Sequence, residues 1–201
     1  MAKEGLFDQL RNPSGLLGEV AGSVMAQTNK DVNRWVIAQL AVGPQDKVLE
    51  IGFGPGAALE SVLKVVTHGF VAGIDHSATM EKQAHRRNRR AVHEGRLELQ
   101  VADVASIPYE DETFDRVYAV NCFEYWQDQE ANLEEVKRIL KPGGHFFVAT
   151  QPRWFDDDHA KAEQLGNEML EKIKEAKFAD PRLLKRKFDP ITAVMITAYK
   201  H

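Results

Sequence analysis

Three acids and three glycines carry the chemistry of this chain. In Val48-Leu49-Glu50-Ile51-Gly52-Phe53-Gly54-Pro55-Gly56 an apolar run ends in an acid, and glycines then alternate with other residues. Without a Cβ the backbone can turn tightly from strand to helix, and a nucleotide can lie directly on the main chain. Gly52, Gly54 and Ala57 fit the G-x-G-x-x-G/A spacing of dinucleotide cradles. Glu50 argues for a different ligand: a carboxylate two residues before the first glycine repels a pyrophosphate and attracts an ammonium or sulfonium group. A second apolar run, Phe70-Val71-Ala72-Gly73-Ile74, ends in Asp75, where a carboxylate can accept hydrogen bonds from both hydroxyls of a ribose. A third, with Leu97, Leu99 and Val101 in alternation, leads to Asp103, an acceptor suited to the exocyclic amine of adenine. Val104 can offer its backbone amide to the same ring, and Met80 and His76 can flank its faces.

The plainer readings are a structural turn at the glycines, strand-end caps at the acids, and a surface position for His76. Cys122 lacks a paired histidine and basic surroundings, so it reads as a small buried apolar residue. The seven histidines lack ligand spacing, so no metal is expected. Asp156-Asp157-Asp158-His159 reads as an acid-favouring helix start, and Arg86-Arg87-Asn88-Arg89-Arg90 as a solvated helix end.

Strand-like and helical runs alternate, as in a doubly wound parallel sheet. Strands are expected at 47–51, 70–74, 97–101 and 114–120, with helices over 57–66, 78–92 and 129–140. Lys141-Pro142-Gly143-Gly144 then reads as a helix-to-strand turn before a strand at 145–150. A helix starting at Asp156 carries Leu165, Met169, Ile173 and Ala176 at helical spacing. Two closing strands, 182–188 and 191–199, are separated only by Asp189-Pro190, which suggests an antiparallel hairpin. Two helices, 16–27 and 32–40, precede the core, the first a candidate lid bearing Met25.

Taken in order, VLEIGFGPG, GIDHSATM, the Asp103-Val104 pair, FDRVYAVNCFEYW and LKPGGHFFV resemble the motifs of class I S-adenosylmethionine-dependent methyltransferases. Within them the chain is most similar to the small-molecule type that includes the ubiquinone and menaquinone biosynthesis enzymes. The resemblance runs from about Asp46 to Thr150. It implies an α/β, Rossmann-like, seven-stranded sheet, mostly parallel with a C-terminal antiparallel hairpin. It also implies S-adenosyl-L-methionine as cofactor, with Glu50, Gly52, Gly54, Gly56, Asp75, His76, Met80, Asp103, Val104 and Asn121 around it. The loop after the fourth strand, Asn121 to Trp126, falls where the transferable methyl is expected. It contains neither an (Asn/Asp)-Pro-Pro-(Tyr/Phe) motif nor a histidine, leaving Glu124 and Tyr125 as the candidate catalytic groups. Met25, Tyr125 and Trp126 are the candidate acceptor-binding residues.

The chain has 201 residues, one cysteine and a formal charge of −4. That length suits one domain: a helical cap (1–41), a cofactor core (46–150) and a C-terminal helix and hairpin (151–201). The charge gives no general attraction to nucleic acid, and neither a secretory signal nor an apolar run near membrane-spanning length is visible. A cytoplasmic enzyme acting on a small, fairly apolar molecule is the expectation, with no nucleic-acid partner. The competitors are an NAD-dependent oxidoreductase, disfavoured by Glu50 and by the lack of a Tyr-x-x-x-Lys pair, an RNA methyltransferase, and a non-catalytic cofactor-binding subunit or sensor.

Overall fold

The computed structural model describes residues 22, 24–152, 158–188 and 191–201. Seven strands form one sheet in the order β3-β2-β1-β4-β5-β7-β6, and the chain divides into two compact units, Met1–Asp103 and Val104–His201.

In the first unit, helix α1 (Lys30–Leu40) buries Val32, Trp35, Val36 and Leu40, the apolar stripe expected at helical spacing. Before it, residues 24–28 are helical, with Thr28 Oγ1 donating back to the Val24 and Met25 carbonyls. Residues 16–21 and 23 of the helix expected over 16–27 lie outside the described residues. Strands β1 (Lys47–Ile51), β2 (Phe70–Asp75) and β3 (Leu97–Val101) pair in parallel, in the register Glu50↔Gly73↔Leu99. β1 and β2 are almost continuously buried, as apolar runs in a parallel sheet must be.

Two expectations are corrected in this unit. Helix α2 runs only over Ala57–Val62, because the amides of Val65 and Val66 both turn back to the Val62 carbonyl and tighten the end of the helix. The helix expected over 78–92 is two, α3 (Ala78–Arg87) and α4 (Arg89–His93), separated at Asn88. Asn88 leaves helical geometry at ψ 20° while its Nδ2 donates to Gly56 O at 3.0 Å and Ala84 O at 3.1 Å. A buried asparagine that bonds backbone outside its own helix competes with helix continuation.

In the second unit β4 (Phe114–Val120) pairs in parallel with β5 (Leu140–Thr150), and β7 (Thr192–Tyr199) pairs antiparallel with β5 and with β6 (Ala179–Lys187). Helix α5 (Gln129–Ile139) begins at Asp128, whose carboxylate caps the Ala131 amide at 3.1 Å, and buries Leu133, Val136 and Ile139. Helix α6 (Asp158–Glu175) buries Ala162, Met169 and Ile173. Lys141 to Gly144 is not a turn before the strand but a bulge inside β5. The register moves from Phe114↔Leu140 to Arg116↔His145, and Gly143 N–H donates to Lys200 O at 2.9 Å. Strand β6 begins at Ala179, with its own irregularity before Arg182. The hairpin is antiparallel as expected, closed by Phe188 N–H to Ile191 O at 3.1 Å; Asp189 and Pro190 lie outside the described residues.

Candidate active site

The glycine turn is built so that its amides are used within the protein. Gly52 N–H donates to Ile74 O at 2.8 Å and extends the β1–β2 ladder, while Gly56 N–H donates to Phe53 O at 3.0 Å and closes the turn. Gly54 N–H donates to Asp75 Oδ2 at 2.8 Å. All three glycines have positive φ, at 72°, 52° and 75°, a region costly for other residues. Gly56 has a further reason to be glycine: a Cβ there would stand 2.7 Å from both Ala84 Cβ and Asn88 Nδ2. At Gly54 a Cβ would meet Met25 Cε at 3.8 Å, so the helical turn before α1 lies beside the glycine turn.

Asp75 ends β2 at 7% exposure, and backbone donors satisfy both of its oxygens. Oδ2 takes the Gly54 amide, and Oδ1 takes the Ser77 amide at 2.9 Å. Burial pushes the carboxyl above its ordinary range, and the amides of Ser77 and Gly54 and then nearby His76 pull the other way. Each oxygen keeps a second lone pair, which is what a pair of ribose hydroxyls would need. His76 is exposed, its Nδ1 3.7 Å from Asp75 Oδ1. Ser77 caps α3 through Met80 N–H, and the Met80 side chain is fully buried, enclosed by protein. Glu50 is also buried, at 3% exposure. Asp103 is exposed after β3 and Val104 is buried.

Reading the sequence missed two residues that hold this turn. Asn88 grips Gly56 O as above, and Arg87 Nε donates to Pro55 O at 3.0 Å while its guanidinium lies 3.7 Å from Glu60. The signal available was an asparagine inside a helical pattern, where it is a poor helix former. Arg87 was hidden within a basic run that otherwise faces solvent.

In the second unit Asn121 follows β4 in the left-handed region at φ 54°, tolerable for asparagine. Its amide donates to Ala149 O at 2.8 Å and its Oδ1 accepts Gln151 N–H at 2.7 Å, tying the end of β4 to the end of β5. A single 3₁₀ turn, Phe123–Tyr125, then presents Glu124. Thr150 Oγ1 donates to Glu124 Oε1 at 3.1 Å. Although the residue as a whole is exposed, its carboxyl is desolvated, which raises its pKa. Bonds from its own backbone amide and from Thr150 oppose that rise. Tyr125 is 43% exposed, whereas Trp126 is only 8% exposed and packs on Phe123 with ring centroids 4.9 Å apart. Cys122 is half-buried.

Met25, Glu50, Gly52, Gly54, Gly56, Asp75, His76, Met80 and Asp103 thus belong to one unit, and Val104, Asn121, Glu124, Tyr125 and Trp126 to the other. Among the described residues no group of His, Cys, Asp and Glu could hold a metal ion, and no helix is long and apolar enough to cross a membrane.

Comparison with known proteins agrees with this arrangement. Residues 49–148 match the family described as methyltransferase domain. YdaC of Bacillus subtilis (strain 168), described as an uncharacterised methyltransferase, is 34% identical over 181 residues, 90% of this chain and 98% of its own. The ubiquinone/menaquinone biosynthesis C-methyltransferase UbiE of Geotalea daltonii is 28% identical over 57% of this chain and 49% of its own length. The fold is also that of an S-adenosylmethionine-dependent methyltransferase from Aquifex aeolicus, with a TM-score of 0.68 over 83% of this chain and 88% of that one at 20% identity. With near full-length similarity to a methyltransferase, the family profile across the β1–β5 core and a sheet of this order, the chain belongs to the class I S-adenosylmethionine-dependent methyltransferases.

Proposed function

We propose that the protein binds S-adenosylmethionine through Glu50, the Gly52-to-Gly56 turn, Asp75 and Asp103-Val104, and transfers its methyl group to a small, fairly apolar acceptor. The observation that carries the reading is the use of the glycine amides. A pyrophosphate needs such amides pointed at it, yet those of Gly52, Gly54 and Gly56 are all engaged within the protein. The turn therefore offers close approach rather than anion binding, and the charge it presents is that of buried Glu50 and Asp75. That favours a cationic ligand with a ribose over NAD.

Bound there, the cofactor supplies an activated methyl whose departure leaves a neutral thioether. Glu50 holds the ammonium end, Asp75 the ribose hydroxyls, and Asp103 and the Val104 amide the adenine edge. Positioning supplies most of the rate, since an acceptor lone pair aligned with the breaking bond needs little further help. For an acceptor that carries a proton on the reacting atom, Glu124 is the group in the β4–α5 loop able to take it, with Thr150 Oγ–H steadying the carboxylate. Tyr125 offers an open aromatic face, while Trp126, packed on Phe123, serves as a wall. Met25 stands over Gly54 as part of a cap.

Calorimetry with S-adenosylmethionine, S-adenosylhomocysteine and NAD, followed by a mass-resolved search for methylated products in a metabolite extract, tests the proposal. Binding of the first two ligands with much weaker NAD binding, and a methylated product of low polarity, are expected. Tighter binding of NAD overturns the cofactor assignment, and a macromolecular product overturns the acceptor class.

A further inference from the structure

The connection from β3 to β4 opens with Ala102-Asp103-Val104 and has no helix or strand of its own. One side chain of α5 organises it. Arg138 Nη2 donates to Ile107 O at 3.0 Å, and Nη1 donates to Tyr109 O at 2.8 Å and Asp111 Oδ1 at 2.7 Å. Its remaining donors go to Glu135, Nε to Oε2 and Nη2 to Oε1, both at 2.8 Å. A guanidinium has five N–H groups in a fixed fork, and each has a partner here. Glu135 Oε1 in turn accepts Ile107 N–H at 2.8 Å, so both backbone polar groups of Ile107 end on the same ion pair. Ile107 itself is buried, three residues after Val104.

We propose that Arg138 and Glu135 are positioning residues for adenine recognition: their clasp on Ile107, Tyr109 and Asp111 fixes the connection that carries Asp103-Val104, and so sets selectivity for adenine over other bases. The inference rests on the cofactor assignment proposed above. A carboxylate and a backbone amide read adenine only when held in the plane of the base, and a connection of this length without secondary structure does not hold them there by itself. The clasp grips chiefly loop backbone rather than core, and one of its arms, Asp111, is 74% exposed, as suits a device that places a loop. The Arg138 hydrogen bonds hold the Glu135 carboxyl below the usual glutamate range, so the pair stays ionised through neutral pH.

The test compares affinities for S-adenosylhomocysteine and for S-inosylhomocysteine, its deaminated analogue, by calorimetry. Hypoxanthine presents an oxygen to the Asp103 carboxylate and an N–H donor to the Val104 amide. The wild-type protein should therefore prefer the adenine compound by roughly tenfold to a hundredfold. In Arg138→Lys, which keeps the charge and loses the fork, and in Glu135→Gln, the preference should fall at least about threefold, with the loss falling on the adenine compound. Asp111→Asn, at an exposed position that does not put folding at risk, should lower it in the same direction by about twofold. Simple loss of stability moves both affinities of the folded fraction together and leaves the ratio alone. An undiminished ratio in the folded variants overturns the inference and leaves the cofactor assignment standing. A wild-type protein that ignores both compounds, or does not distinguish them, overturns the assignment and the inference with it.

Discussion

Asp75→Ala is the substitution that separates the two roles given to this carboxylate. In the structure it accepts the Gly54 and Ser77 amides, and in the proposed complex it also accepts two ribose hydroxyls. Removing it orphans two amides in a buried site. At about 1 kcal/mol each, with water admitted to the gap, the cost is roughly 2 kcal/mol. For a domain of this size that lowers Tm by about 4–8 °C. Part of the loss is offset because the buried carboxylate is costly to ionise, which is why its pKa lies above the ordinary range. The sign follows: an acid whose folded pKa is raised adds stability below its unfolded pKa and loses it as pH rises through the folded one. The gap between wild type and variant should thus widen on acidification through that window. Two lost ribose bonds to a charged acceptor, about 1–2 kcal/mol each, weaken S-adenosylhomocysteine by roughly thirtyfold to a thousandfold. Calorimetry at neutral pH and thermal melts across the acid range read the two effects separately. A folded variant whose affinity falls less than about threefold would falsify the ribose contact.

Glu124→Gln should remove the acid limb of the rate profile for an acceptor that loses a proton, a limb expected above the ordinary glutamate range because desolvation raises this carboxyl; an unchanged profile excludes Glu124 as proton acceptor. The same substitution should stabilise the protein relative to wild type progressively as pH rises through that window, which melts at several pH values check. Trp126→Ala, stripping a ring that is 8% exposed and packed on Phe123, should cost about 3–5 kcal/mol of stability in addition to any effect on turnover, and an unaltered melt would mean the ring is not core. Gly56→Ala meets Ala84 and Asn88 and adopts a left-handed φ, so a loss of about 2–5 kcal/mol is expected by denaturant titration, and a neutral result would contradict the packing of the turn against α3.

Legibility in the sequence followed the length scale of the interactions. The strands of the parallel core are readable for two reasons: burial on both faces forces apolar runs in β1 and β2, whereas β3 shows through the alternation of Leu97, Leu99 and Val101, and β1, β3 and β4 begin and end where expected. Element ends were set by partners distant in sequence, which periodicity does not register. Asn88 splits a helix in order to reach Gly56, and Gly143 pairs with Lys200, so a segment that reads as a turn becomes a bulge. The candidate site shows the same division. Residue type and position at strand ends single out Glu50, Asp75 and Asp103 as candidates, whereas Arg87 and Asn88 sit in a run that reads as a solvated helix end, and nothing local marks Arg138 and Glu135, whose backbone partners lie 28 to 31 residues away.

That division bears on how the turn selects its ligand. A glycine-rich strand-to-helix turn is compatible with phosphate, with a carboxylate or with a cation, and the glycines alone do not decide among them. The choice depends on where the amide hydrogens go. When Gly54 N–H is given to Asp75, the turn loses a donor for an anion, and the carboxylate is fixed at the same time by the Gly54 and Ser77 amides. On the proposed assignment, that one hydrogen bond both disfavours a pyrophosphate and prepares a nucleoside site. Glu50, buried on β1, adds a charge that a second anion would have to overcome. Selection therefore lies in the pairing of acid and glycine rather than in the glycine pattern, and Asp75→Ala should weaken discrimination against NAD as well as affinity for S-adenosylhomocysteine.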